Sequence, residues 1–273
     1  MTSIRDAFDM VVFDWAGTTV DFGSRAPVLA LIEAFSGLGV PIDEVEARRD
    51  MGRAKADHVR ALFDQPRIAK VWRDTHGTAA DQAAVVKVMA ELQAPMIRLA
   101  GETADLIPGV AAVAVRLREQ GLKIASCTGY TREMMQAILP RAAAQGYAPD
   151  LVVCAHETPQ GRPSPLMIYK AGAELGVWPL TRVVKVDDAE VGIAEGRNAG
   201  CFTVGVAASG NMVGLTEQAL ADLDAGERET LLLAAAERLR AAGADLVIDT
   251  VADLIPALEA EAARRSGQGV DRP

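Results

Sequence analysis

Met10-Val11-Val12-Phe13-Asp14-Trp15-Ala16-Gly17-Thr18-Thr19 sets one carboxylate at the end of a short apolar run and leaves no second acid two positions later. The β-branched and aromatic residues before Asp14 predict a buried strand, and Asp-Trp-Ala-Gly-Thr predicts the polar loop that follows it. Open α/β sheets bind their ligands at the carboxyl ends of the strands. Asp14 therefore stands where a nucleophile or a metal ligand would stand. Taken alone, an Asp after a strand serves equally well to start a turn, so its reading depends on what recurs downstream.

Strand-like runs recur at 122–127, 151–155, 183–186, 202–206 and 246–249, with helical patterns at 110–120, 132–145 and 190–199 between them. Strands alternating with helices predict an α/β fold with a parallel sheet covered on both faces. The stretch from 24 to 102 breaks that rhythm, being helix-like throughout and too long for a simple crossover. It is read as an inserted helical cap, with Gly23 and Leu106-Ile107-Pro108-Gly109 as hinges. The division expected is a core at 1–23 and 103–265, a cap at 24–102 and a frayed tail at 266–273, the polar, Gly-containing character beginning at Ala262. A surface helix is expected at 232–242.

Composition bounds the function. Half of the 273 residues are hydrophobic and the formal charge is -9, so a large core can form and a nucleic-acid or anionic-membrane surface is disfavoured. A small anion in a locally basic pocket stays compatible. No run approaches the length of a membrane span, and no apolar signal region opens the chain. Cys127, Cys154 and Cys201 each lie in or beside apolar runs and read as buried free thiols of a cytoplasmic protein.

Further strand ends carry chemistry. Thr128-Gly129-Tyr130 offers a hydroxyl beside a turn and the start of a helix, which suits a phosphoryl oxygen, although a Thr-Gly pair is also an ordinary turn. Arg162, in Gly161-Arg162-Pro163, offers a permanently charged fork for oxyanions; a solvated loop arginine is the plain alternative. Asp187 and Asp188 end the run Val183-Val184-Lys185-Val186, and adjacent carboxylates there repel unless a cation intervenes. Mg²⁺, bound through oxygen ligands, is the natural partner. Taken in order, these motifs resemble the haloacid dehalogenase-like (HAD) superfamily. The resemblance implies a Rossmannoid parallel-sheet core with an inserted helical cap, Asp14 as the nucleophile, Thr128 and Arg162 on the phosphoryl group, and Asp188 as a metal ligand. Two departures stand out: Ala16 replaces the acid that superfamily phosphatases use to protonate the leaving alcohol, and Gly192 replaces an acid that many relatives carry four residues after the ligand. Asp187 or water is the expected substitute for the latter.

The cap sequence Met51-Gly52-Arg53-Ala54-Lys55-Ala56-Asp57-His58 suggests what replaces the missing acid. The spacing predicts Lys55 and His58 on one helix face with Met51 one turn earlier. A lysine amine condenses with an aldehyde to an iminium, an electron sink that stabilises a carbanion on the adjacent carbon. Breaking a carbon–phosphorus bond requires such a sink. An ordinary solvated cap lysine is the plain alternative, and Ala16 counts against it by leaving room above Asp14. With Phe13-Asp14-Trp15-Ala16-Gly17-Thr18, Thr128-Gly129-Tyr130, Gly161-Arg162-Pro163 and Glu195-Gly196-Arg197-Asn198-Ala199-Gly200, the chain resembles the phosphonoacetaldehyde hydrolase (phosphonatase) family.

That resemblance implies hydrolysis of phosphonoacetaldehyde to acetaldehyde and phosphate with Mg²⁺, in phosphonate catabolism. It implies a Schiff base on Lys55, an aspartyl-phosphate on Asp14, substrate contacts from Thr128, Gly129 and Arg162, and a metal held by Asp14, the Ala16 carbonyl and Asp188. His58 is assigned a proton shuttle, and a homodimer contacting through the cap is expected. Lys55 must be neutral to attack, so its pKa is expected to be depressed by cap closure, Arg53 and Arg162. Three other readings stay open: a HAD phosphomonoesterase acting on a small phosphate ester, a non-catalytic HAD-like binding protein, and a metal-free dehalogenase.

Overall fold

The computed structural model describes residues 3–267. A short helix α1 (Ile4–Ala7), closed by a capping box between Ser3 and Asp6, leads into β1 (Met10–Phe13), all four residues of which are buried. Helices α2 (Arg25–Gly37), α3 (Glu44–Arg48), α4 (Lys55–Phe63), α5 (Pro66–His76) and α6 (Gln82–Glu102) follow without an intervening strand. The chain then alternates through α7 (Val110–Glu119), β2 (Lys123–Cys127), α8 (Arg132–Ala144), β3 (Leu151–Val153), α9 (Leu166–Leu175), β4 (Val183–Asp187), α10 (Glu190–Ala199) and β5 (Phe202–Val206). It closes with α11 (Glu217–Ala221), α12 (Ala225–Ala241), β6 (Leu246–Ile248) and α13 (Leu254–Gly267).

The six strands form one sheet in the order β3-β2-β1-β4-β5-β6, every pairing parallel. The chain runs outward from β1 to β3 and then returns to β4, so the order reverses between β1 and β4. Ligands bind at such switch points because the flanking crossovers diverge there and leave a crevice at the strand ends. In register, Phe13 faces Ser126 of β2 and Val186 of β4. The residues that follow these strands, Asp14, Thr128 and Asp188, are therefore delivered to one edge.

The β-branched and aromatic strand residues are covered on both faces. Phe13 and Trp15 each meet the ring of Tyr147 edge-on, at 6.1 and 5.3 Å. Burying side chains of this size contributes about 1.5–3 kcal/mol each, which fixes the β1 terminus before any ligand arrives. The Trp15 indole also donates to Ser126 Oγ at 2.8 Å, so the polar edge of a fully buried ring is satisfied.

Two expectations need correction. Residues 262–267, read as the start of a tail, continue α13, because Ala262 is fully buried and holds the last turns against the core; residues 268–273 lie outside the described residues. The helix expected at 232–242 begins seven residues earlier, at Ala225, where Asp224 accepts from the Gly226 and Glu227 amides and caps it. The three cysteines are free and buried. Among the described residues, no helix is long and apolar enough to cross a membrane.

Candidate active site

Asp14 leaves β1 with its amide bonded to the Val186 carbonyl at 3.0 Å, and its own carbonyl accepts from Thr19 Oγ1 at 3.0 Å. The loop thus folds back on itself and fixes the carboxylate at the sheet edge. Thr128 follows β2, its amide bonded to the Val153 carbonyl and its hydroxyl accepting from the Tyr130 amide. Asp188 follows β4 and accepts from Thr18 Oγ1 at 3.1 Å and from the Asn211 amide at 2.7 Å. One cavity between core and cap is lined by Asp14, Ala16, Lys55, Thr128, Gly129, Arg162 and Asp188, together with Met51 and Tyr130. Of the site residues expected from sequence, His58 and Asp187 lie off this lining.

The cap presses closely on the core here. A Cβ on Gly129 would stand 2.9 Å from the Arg53 carbonyl oxygen, so a side chain at this position would hold the cap away. Lys55 is the first residue of α4 and is 97 % buried (3 % exposed). Its ammonium lies 3.9 Å from Met51 Sδ and 5.3 Å from the centre of the Tyr130 ring. The expected helical spacing from Met51 does not hold: Met51 lies in the turn before α4, and that turn folds its thioether onto the amine.

Arg162 is tied on two sides. Its Nε donates to Glu195 Oε2 at 3.0 Å, and its Nη2 donates to Asp14 Oδ1 at 2.7 Å and to the Cys127 carbonyl. Nη1 takes part in none of these bonds, which leaves its two N–H groups for an oxyanion. Behind it, Lys185 is fully buried, with its ammonium 2.9 Å from Asp187 Oδ2 and 3.4 Å from Glu195 Oε2. The first is a close ion pair whose angle falls outside hydrogen-bond geometry, since both atoms lack a hydrogen-bond partner. Buried charges of this kind persist only when compensated. Lys185 and Glu195 carry no sequence assignment, although a lysine inside the apolar run Val183-Val184-Lys185-Val186 is itself a signal that a buried counter-charge exists.

Burial, with the Asp187 charge adding to it and Arg162 opposing, raises the proton affinity of Asp14; burial and the charges of Asp14 and Asp187 raise that of Asp188 well above the usual carboxylate range. Burial would raise Asp187 too, but Arg162 and Lys185 outweigh it and hold this carboxyl below its ordinary range. Ligand atoms of Asp14, Asp187 and Asp188 lie within 4.8 Å of one another. Two repelling, buried carboxylates are the donors a hard divalent cation would stabilise, so Asp14 and Asp188 fit a metal. Asp187 already has two cations.

Burial pulls the Lys55 amine down to about 8; the Asp14 charge opposes this and Arg162 adds to it. Arg53, expected to contribute, has no part in this shift: it pairs with Asp50 at 3.2 Å and acts on His58 instead. His58 is pushed down to about 3, first by burial and then by the Lys55 charge. The Ala47 backbone lies near enough to oppose this slightly, yet neither ring nitrogen reaches hydrogen-bond geometry. His58 is thus a neutral, buried imidazole one turn behind Lys55.

Comparison with known proteins agrees with this geometry. The family model of the haloacid dehalogenase-like hydrolases matches residues 8–200. The chain is 49% identical over 257 residues to the phosphonoacetaldehyde hydrolase of Paraburkholderia phytofirmans, covering 93% of this chain and 96% of the relative. It is 41% identical over 251 residues to that of Bacillus cereus, covering 92% and 95%. Among solved structures, a phosphonoacetaldehyde hydrolase-like protein from Oleispira antarctica superposes with a TM-score of 0.94 at 38% identity, covering 98% of this chain and 96% of that one. The chain is a hydrolase and belongs to the phosphonoacetaldehyde hydrolase family of the haloacid dehalogenase-like superfamily.

Proposed function

We propose that the protein hydrolyses the carbon–phosphorus bond of phosphonoacetaldehyde, giving acetaldehyde and phosphate. The observation that carries this reading is the buried Lys55 amine, brought to a pKa of about 8, facing the same cavity as Asp14 where Ala16 leaves no general acid. An amine with that pKa is partly neutral near pH 7–8 and can add to an aldehyde.

The chemistry then follows in balanced steps. Lys55 Nζ condenses with the aldehyde and expels water, forming an iminium. Asp14 Oδ attacks phosphorus in line; the carbon–phosphorus bond breaks and its electron pair moves into an enamine, while phosphorus passes to Asp14 as an acyl phosphate. Protonation of the enamine carbon and addition of water release acetaldehyde and restore the amine. A second water cleaves the acyl phosphate and releases phosphate. Arg162 and Thr128 hold the phosphonyl oxygens, with the Gly129 backbone beside them, and offset charge that grows in the transition state. Mg²⁺, held by Asp14, the Ala16 carbonyl and Asp188, supplies Lewis-acid neutralisation of the phosphonyl group when bound. His58 is the proton relay of this reading; as a neutral imidazole with no protein hydrogen-bond partner, it would exchange its proton with substrate or water. A homodimer assembled through the cap belongs to the same reading, supported by the exposed Val45 and Val86 on cap helices; sizing chromatography tests it.

The deciding experiment follows acetaldehyde release from phosphonoacetaldehyde with Mg²⁺ through a coupled alcohol dehydrogenase, and repeats it after treatment with substrate plus borohydride. Release that reduction abolishes, with a two-carbon adduct on Lys55, supports the reading. Absence of release with any metal, combined with turnover of small phosphate esters, overturns it in favour of a phosphomonoesterase.

A further inference from the structure

Away from the cavity lining, and apart from the packing of α6 on α8, the cap meets the core at loop 209–214. Arg48, the last residue of α3, reaches across the hinge: its Nη1 donates to the Gly23 carbonyl at 2.9 Å and to Asn211 Oδ1 at 3.1 Å, and its Nη2 donates to the Gly214 carbonyl at 3.1 Å. Asn211 returns a bond from its side-chain amide to the Arg48 carbonyl at 3.3 Å. From the cap side, the guanidinium pairs with Glu44 on its own helix at 3.5 Å and donates to the Ser24 carbonyl at 3.5 Å.

The loop it grips is tied to Asp188, to the loop after β1 and to Gly23. The Asn211 amide donates to Asp188 at 2.7 Å, Ser209 Oγ donates to the Gly17 carbonyl at 2.8 Å, and the Gly23 amide donates to the Ser209 carbonyl at 2.7 Å. Gly214 has φ +70, and a Cβ there would lie 2.7 Å from the Arg48 guanidinium carbon. Positive φ favours glycine, and here the missing side chain is also what admits the guanidinium. The contact is therefore built from both sides.

We propose that Arg48 is a positioning residue: a latch that holds the cap closed on loop 209–214 and thereby keeps Lys55 desolvated above Asp14 while registering the cap against Asp188. Charge-assisted bonds to several carbonyls give one arginine the reach and geometry that a point-charge lysine lacks. Lys55 lies seven residues further along the same cap segment, so release of Arg48 lets the α4 start lift and water reach the amine. The proposal rests on the reading of Lys55 for its catalytic consequence but not for its closure claim, and the test separates the two.

Closure is measured without substrate. Reductive methylation with formaldehyde and cyanoborohydride, read residue by residue by mass spectrometry, should label Lys55 slowly in the wild type. In Arg48→Ala, labelling of Lys55 should rise roughly tenfold, the equivalent of losing one charge-assisted bond, with exposed Lys70 and Lys123 unchanged. Arg48→Lys should fall between the two, and Gly214→Ala, which intrudes on the guanidinium from the core side, should reproduce the effect should Arg48→Ala fail to fold. Turnover of phosphonoacetaldehyde should show a higher KM and a lower kcat, with the acid limb of the pH profile displaced toward the ordinary lysine value. Unchanged Lys55 labelling in all of the variants that fold overturns the latch, whatever the substrate proves to be. Increased labelling without any phosphonatase activity in the wild type leaves the latch standing and removes the substrate reading instead.

Discussion

Gly192 and Asp187 occupy one another's space: a Cβ on Gly192 would overlap the carboxylate of Asp187. An acid four residues after Asp188, at Gly192, would therefore clash with the Asp187 carboxylate. A carboxylate arrives at that spot from the neighbouring strand end instead, where it is gripped by Lys185 and Arg162. Asp187 thus serves the guanidinium and Lys185, while its charge still adds to the burial that raises Asp14 and Asp188.

Gly192→Asp should be strongly destabilising, because it adds a side chain to a filled site and a buried negative charge beside another. A loss of about 3–5 kcal/mol is expected. The double variant Asp187→Gly with Gly192→Asp should recover more than half of it, since one carboxylate again meets Lys185 and Arg162. Thermal or urea unfolding of the single and double variants decides this; equal instability of both would show that the two positions do not exchange roles.

Lys55→Arg keeps the positive charge but has no amine able to condense with an aldehyde. It should fold normally and lose at least about a thousandfold in acetaldehyde release, about 4 kcal/mol of barrier. Retained turnover would remove the imine from the mechanism.

The pH dependence follows from Lys55. Its amine is protonated below about 8 and neutral above it, so the rate of borohydride-trapped adduct formation should rise about tenfold per pH unit up to that point and then level. The sign for stability is also fixed. The folded pKa lies below the unfolded value of 10.5, so burying Lys55 costs stability fully below about 8, and that cost disappears as pH rises to 10.5. Lys55→Met should therefore raise the melting temperature at pH 7 more than at pH 10; the reverse order would contradict the depressed amine.

Metal binding should be visible without substrate. Asp14 and Asp188 repel in a buried setting, so Mg²⁺ should raise the melting temperature, by about 2.7 kcal/mol of stability at a hundred times its Kd, and EDTA should reverse this. Asp188→Asn should raise the metal-free melting temperature by relieving the repulsion and abolish the response to Mg²⁺. A variant that still responds fully would place the cation elsewhere.

Much of this was legible in the chain. Short apolar runs, bounded by turn residues and ending in Asp14, Thr128 and the Asp187-Asp188 pair, read as strands by their length and flanks, and the long helical stretch after β1 could not be a crossover. Those features determined the parallel sheet and the cap insertion, because apolar run lengths and turn residues act locally. Tertiary structure decided what depends on the meeting of distant segments. The turn at Met51 that folds sulfur onto Lys55, the exclusion of Arg53 from its electrostatics, and the neutral burial of His58 all follow from how the cap docks. The same holds for Lys185 with Glu195 behind Arg162, and for Arg48 on loop 209–214. Burial and long-range charge pairing set these, and desolvation energy is a property of the assembled surroundings that no local spacing encodes.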